Sequence, residues 1–243
     1  MHKSNNKIRQ RIIIKLSGAG LTKENSQPFS NDFFETIINQ LKVLKESYQL
    51  GIVIGGGNII RGNNCQEFNI AEYHGHQLGI IATVVNGYFL KAKLDAHNLK
   101  SALLSAISCP SLAVQILSQQ TIDKAFEEND FVIFSGGTGN PYFSTDTALA
   151  LRAVQTKAVA ILIGKNGVDG VYTADPKKDK NATFLPTLNY DHAIKNDLKI
   201  MDITAFTMCK ENNLKIIIFN INAENALLDA LNKKGRFTII ENN

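Results

Sequence analysis

Three charged side chains stand beside glycine-rich turns in this sequence. Lys15 precedes Ser17-Gly18, Arg61 follows Gly55-Gly56-Gly57, and Asp146 follows Gly136-Gly137-Thr138-Gly139. Glycine lets the backbone approach a ligand with no side chain in the way, and the free N–H groups of a helix start suit a phosphate. Two cations, an acid and glycine backbone are the parts that phosphoryl transfer requires. Charge spread over the transferring group is stabilised by Lys, Arg, Mg²⁺ and N–H groups, and the protein mainly positions the two reactants. Each group also has a plainer reading. A lysine in a strand can snorkel, and an acid in the first turn of a helix is stabilising by itself.

The elements that must position these groups alternate along the chain. Short β-branched runs read as strands at Arg11–Leu16, Gly51–Ile54, Ala102–Ile107, Phe131–Ser135, Ala158–Ile163, Leu214–Phe219 and Phe237–Ile240. Apolar spacing of three and four predicts helices over 32–48 and 74–95, a helix opening near Thr145, and shorter ones at Thr121–Asn129, Tyr190–Asn196, Asp202–Asn213 and Ala223–Leu231. Alternation of this kind argues for a mostly parallel sheet covered by helices on both faces, an αβα sandwich. Ligands in such sheets sit beyond the carboxyl ends of the strands. Four loops with ligand-like chemistry, 17–20, 55–62, 136–146 and 164–175, all follow predicted strands. Residues 1–10 read as a loose tail and 11–243 as a single domain.

Composition narrows the class. The 243 residues are 44% hydrophobic and 20% charged, enough to build a core, and the net charge of +4 is too mild for a nucleic-acid-binding signature. No apolar run is long enough for a signal peptide or a membrane span, so a cytoplasmic protein is expected. Cys65, Cys109 and Cys209 lack metal or disulfide spacing and read as free thiols. There is no GxxxxGK[ST], no GxGxxG opening a helix after the first strand, and no GxSxG. His74 and His76 fit a loop-to-helix junction better than a metal site, and no resident metal is expected.

KLSG (Lys15 to Gly18), GGGNIIRG (Gly55 to Gly62), GGTGNPYFSTDTALALRA (Gly136 to Ala153), VDGVYTADPKKD (Val168 to Asp179) and MDITAFTMCKENN (Met201 to Asn213) occur together and in this order. Their spacing resembles that of the bacterial UMP kinases, in the amino-acid-kinase superfamily, over nearly the whole chain from Arg9. The resemblance implies a three-layer αβα sandwich, a homohexamer, and ATP- and Mg²⁺-dependent conversion of UMP to UDP in pyrimidine nucleotide biosynthesis. It implies Lys15, Leu16, Ser17, Gly18, Gly57 and Arg61 around the ATP phosphates, with Asn166, Tyr172 and Asp175 on the adenosine side. Gly56, His76, Thr138, Gly139, Asn140, Pro141, Tyr142, Phe143, Ser144 and Thr145 would hold UMP. Lys15, Arg61 and Asp146 would lie nearest the transferring group.

Several positions depart from that family's pattern. Ala19 stands where the family has an acid after KLSG, and His76 stands where it has an aspartate contacting the ribose, with Glu72 a possible substitute. The segment Ile163–Gly167 carries one extra residue, so Lys165 has no firm counterpart. Lys23 to Pro28, Asp95 and Ala102 occupy positions where relatives activated by GTP carry glycine-rich or basic residues. UTP inhibition through the UMP pocket is the expected regulation. Two other readings stay open: a superfamily kinase acting on a carboxylate, carbamate or isopentenyl phosphate, and a nucleotide- or oxyanion-binding protein without catalysis.

Overall fold

The computed structural model describes residues 9–22, 27–60, 65, 67–112 and 114–242. Arg61, most of the predicted 1–10 tail and the segment 23–26 lie outside them. A nine-stranded sheet forms the middle layer, in the order β4-β3-β5-β2-β1-β6-β10-β11-β9. Its strands are β1 (Gln10–Leu16), β2 (Tyr48–Ile54), β3 (Ser101–Ser105), β4 (Gln115–Ile116), β5 (Phe131–Ser135), β6 (Ala160–Lys165), β9 (Thr187–Asn189), β10 (Lys215–Asn220) and β11 (Phe237–Glu241). All neighbours are parallel except β10 and β11. A separate antiparallel pair, β7 (Val171–Tyr172) and β8 (Phe184–Leu185), stands beyond the end of β6.

The helices are α1 (Asn31–Leu44), α2 (Glu72–Ala96), α3 (Gln119–Glu128), α4 (Thr145–Gln155), α5 (Tyr190–Lys195), α6 (Ile203–Glu211) and α7 (Ala226–Leu231). Alternation along β1 sorts them. Ile13 faces a core built with Ala148 and Leu149 of α4, Phe126 of α3, and Tyr190 and Phe206 of α5 and α6. Ile12, Ile14 and Leu16 face the opposite core, with Phe34 of α1, Leu90 of α2 and Leu227 of α7. This period of two gives the three layers expected from the sequence.

Some boundaries differ from expectation for identifiable reasons. The helix expected to reach residue 48 ends at Leu44, because Tyr48 and Gln49 already pair with Gln10 and Arg11. Gln10 thus belongs to the sheet and not to the expected tail. The third site strand was expected to stop at Ile163. It continues through Gly164 and Lys165, which pair with Phe219 and Asn220. A side chain at position 164 would collide with Ile221 at 2.8 Å, so a glycine is what lets the strand run on.

Candidate active site

β1 sits at the topological switch point. The chain leaves it to one side for β2, β5 and β3 and returns on the other side at β6. Lys15 lies next to the carboxyl end of β1, level with Val53 and Ile163. Its Nζ donates to Oδ1 of Asp146 at 2.5 Å. The two side chains are 16% and 17% exposed, so the pair is partly desolvated but open on one side.

Asp146 is placed by the start of α4. Ser144 is the N-cap, and its Oγ accepts the N–H groups of Asp146 at 2.9 Å and Thr147 at 3.2 Å. The Ser144 hydroxyl in turn donates to Asp202. Asp202 caps α6 by accepting the N–H of Ala205 at 2.9 Å and receives the Thr147 hydroxyl at 3.2 Å. One carboxylate therefore ties the heads of two helices together. The MDITAF segment pointed to Asp202, but only contact between helices 55 residues apart in the chain reveals the tie.

The glycine turns behind β1 and β2 press on each other. A Cβ at Gly18 would meet the Gly57 nitrogen at 2.3 Å, so the two loops could not close with any larger residue. The second turn is held from α2. Asn86, fully buried, donates to the Gly55 carbonyl at 2.6 Å and shares reciprocal amide bonds with Asn58. Asn86 gave no sequence signal beyond an asparagine in a helical run.

Lys165 completes the cluster. Its ammonium donates to the Ile200 carbonyl at 2.6 Å. Its pKa is lowered, first by burial and then by the positive charge of Lys15, while Asp146 opposes the shift. Lys15, Asp146 and Lys165 thus share one electrostatic environment. Burial pushes the nearby Cys209 thiol up to about 12, with Asp146 and Asp202 adding to the effect. That thiol stays protonated and unreactive at neutral pH.

Two adjoining hollows and a third beyond β6 lie on this edge of the sheet. The first, about 270 Å³, lies between α2 and the loop after β5; Gly56, His76, Thr83, Gly137, Thr138 and Thr145 are among its walls. The second, about 280 Å³, is lined by Lys15, Ser17, Gly18, Gly55–Gly57 and Ser144–Asp146, so it shares Gly56, Gly57, Ser144 and Thr145 with the first. The third, about 480 Å³, opens beyond β6 and is walled by Lys165, Tyr172, Asp175 and Ile200 among others. A hollow of about 580 Å³ on the far sheet edge, by Leu188, His192 and Glu241, has neither a glycine turn nor a convergent cation. It carries no comparable chemistry.

Most of the expected site residues therefore converge, but not all line a hollow. Leu16 is buried in the core, and only its backbone reaches the loops, through the Gly55 N–H at 2.9 Å. Asn166 accepts from Asn222 at 2.6 Å, and the 480 Å³ hollow is walled by its neighbours Lys165 and Val168. Gly139, Pro141 and Tyr142 shape the loop behind the first hollow. The Tyr142 ring packs on His76 with centroids 4.6 Å apart. His76 Nε2 is buried without a hydrogen bond, and the Glu72 carboxylate one turn away lies at 3.5 Å. Gly137, expected as part of the glycine turn, lines the same hollow, and so does Thr83, which was not anticipated.

Comparison with known proteins agrees with this geometry. The profile of the amino acid kinase family matches residues 10–220. The uridylate kinase of Mycoplasma pneumoniae is 69% identical over 96% of this chain and 100% of its own length. The chain belongs to the amino acid kinase family, in its uridylate kinase branch. A second member of that branch, from Mycoplasmoides gallisepticum, is 42% identical over 95% of this chain and 98% of its own. The crystal structure of UMP kinase from Ureaplasma parvum superposes with a TM-score of 0.93 at 41% identity, covering 96% of this chain and 99% of that one. Family membership makes the chain a kinase and agrees with a mostly parallel αβα fold.

Proposed function

We propose that the protein transfers the γ-phosphoryl group of ATP to UMP, giving UDP and ADP, in pyrimidine nucleotide biosynthesis. The observation that carries this reading is the pair of hollows that share Gly56, Gly57, Ser144 and Thr145, the second of them lined by Lys15 and Asp146, with a third hollow beyond β6 whose Lys165 feels both charges. UMP occupies the hollow of Gly56, His76 and Thr138 to Thr145. The ATP phosphates occupy the middle hollow at Ser17, Gly18 and Gly57, the family resemblance adds Arg61 to them, and the adenosine occupies the hollow of Tyr172 and Asp175.

In that arrangement the acceptor phosphate and the γ-phosphate meet over the Lys15 ammonium. Lys15 and Lys165 stabilise the negative charge spread over the transferring group. Asp146 holds Lys15 in place and keeps two neighbouring cations from repelling each other unscreened. Mg²⁺ brought with ATP would neutralise phosphate charge and would leave the protein to meet it through bound water. Asp146 is the acid placed to meet that water shell. The glycine turns supply N–H groups without reorganisation.

UTP inhibition follows from the same layout. A uridine nucleotide in the acceptor hollow extends its further phosphates through the shared wall into the donor's phosphate hollow. A homo-oligomer, with a hexamer as the full assembly, is supported by α2. Leu78, Ile81, Val85 and Tyr88, spaced three and four apart, stay exposed on one face, while Ala82, Leu90 and Leu94 are buried on the other. A helix apolar on both faces calls for a partner on each. Among the described residues no helix is long and apolar enough to cross a membrane, and we place the enzyme in the cytoplasm.

Release of ADP on addition of UMP, CMP and dTMP tests the reading. The expected result is turnover with UMP well above the other two. No turnover with any of them would leave a binding protein instead.

A further inference from the structure

Arg152 is the most deeply buried basic side chain described, at 4% exposed. It lies in α4, two turns beyond Thr145 and on the same stripe of the helix. No carboxylate pairs with it among the described residues. Its guanidinium donates to the Gln155 amide oxygen at 2.6 Å and to the Gly137 carbonyl at 2.9 Å, while Nε is buried without a partner. Burial draws its pKa down to about 10, so it keeps its charge at neutral pH. A buried cation with no carboxylate partner is costly to desolvate, and an apolar side chain of similar size would fill the space without that cost. The end of a helix favours an exposed cation only weakly. Neither core filling nor the helix end accounts for an arginine here.

What the guanidinium holds does account for it. Gly136, Gly137 and Gly139 have φ of +74°, +58° and +85°. The turn closes on itself through the Gly139 N–H on the Gly136 carbonyl at 2.9 Å, and that bond leaves the Gly136 N–H and the Gly137 carbonyl to partners outside it. Two side chains supply them. The Thr83 hydroxyl of α2 accepts the Gly136 N–H at 2.8 Å, and Arg152 of α4 grips the next carbonyl from behind. Space beyond the Gly137 Cα is open, and that face lines the same hollow as Thr83 and Thr145.

We propose that Arg152 is a positioning residue for the acceptor nucleotide. It touches no substrate. By fixing the Gly137 carbonyl to the helix that carries Asp146, it sets the distance between the acceptor turn and the reacting groups. This rests on the assignment of that hollow to UMP.

The test compares Arg152→Met and Arg152→Lys with the unaltered enzyme. KM and kcat are measured for UMP at saturating ATP and for ATP at saturating UMP, with melting temperature and hydrogen exchange of the segment 136–144. Losing a charged hydrogen bond predicts a rise in KM for UMP of about tenfold in Arg152→Met, with KM for ATP within about twofold. Exchange should quicken in 136–144 alone. Arg152→Lys, which offers one donor to the same carbonyl, should fall between. A lowered melting temperature with an unchanged KM for UMP, or equal rises for both nucleotides, would overturn the proposal. If Arg152→Met does not fold, the lysine variant decides by the same criteria. If the unaltered enzyme turns over no monophosphate, the functional reading fails, and exchange alone decides on Arg152: local quickening supports the anchor and uniform quickening rejects it.

Discussion

Lys15 and Asp146 are 131 positions apart in the chain and meet at 2.5 Å in the wall of the middle hollow. The contact joins the central strand of the sheet to the first turn of α4, so it exists only once both halves of the sheet have assembled.

Asp146 is both a first-turn acid and the partner of Lys15, and Asp146→Asn separates the two roles. A first-turn carboxylate is worth about 0.3–1 kcal/mol, and a role as cap alone would keep the loss of stability within that range, while loss of the partly desolvated Lys15 pair would take it beyond. Removing one preorganised group at a developing charge should lower kcat by about 10²-fold or more. Thermal melting and single-turnover rates measure the two effects. Normal turnover in a less stable protein would reduce Asp146 to a cap.

Lys165 predicts a pH effect whose sign can be worked out. Its folded pKa lies below the ordinary lysine value, so between the two the unfolded chain holds more protons. Its contribution to stability therefore grows as pH rises through that window. Lys165→Met, which has no charge to bury, should melt no lower than the unaltered protein at pH 7. That advantage should shrink as pH approaches about 10. Turnover should fall at least about 10²-fold at every pH. Melting curves across pH that run parallel for the two proteins would contradict this.

His76 presents a buried nitrogen with no hydrogen bond to the acceptor hollow. A carboxylate there accepts from two hydroxyls at once, so His76→Asp should lower KM for UMP by about threefold or more. Unchanged or weaker binding in titration calorimetry would mean that the ribose lies elsewhere. Glu72, one turn away, is the competing acid, and adding Glu72→Gln to His76→Asp should deepen the effect.

Asp202 caps α6 and accepts hydroxyls from α4. Asp202→Ala should cost about 1–3 kcal/mol, the range for a lost cap together with unsatisfied hydroxyls. Denaturant unfolding gives the stability. The rate should fall as well, because Ser144 loses the group that orients it beneath Asp146. Stability reduced with kcat intact would show that the two helix heads are held by packing alone.

The exposed stripe on α2 is checked by sedimentation. Ile81→Glu should shift the enzyme toward smaller species, because a charge in an apolar interface is uncompensated. An unchanged sedimentation coefficient would place the subunit contacts on another face.

How much of this was legible beforehand depends on the range of the physics involved. β5 and the start of α4 were readable to the residue, since a buried apolar run, a glycine turn and the onset of helical spacing are all local signals. The glycine loops were readable as a set because all four follow strands. Asn86, Asp202 and Arg152 were not, because each acts on a segment brought close only by folding. Lys165 was misread as a loop residue because Gly164 looks like the end of a strand. Only the facing Ile221 shows why β6 continues.

The position of β1 has a consequence for how such an enzyme changes over generations. The hollow proposed for the acceptor is walled by residues drawn from 56–145, and the one proposed for the donor's adenosine by residues drawn from 165–218. The two sets meet mainly along one strand and at the start of one helix. Substitutions that retune the choice of acceptor therefore arise in a different stretch of gene from those that retune the donor. Each half can drift, or be exchanged by recombination, while the other keeps its fit. The seam itself, Lys15 with Asp146, is the part that neither half can alter alone.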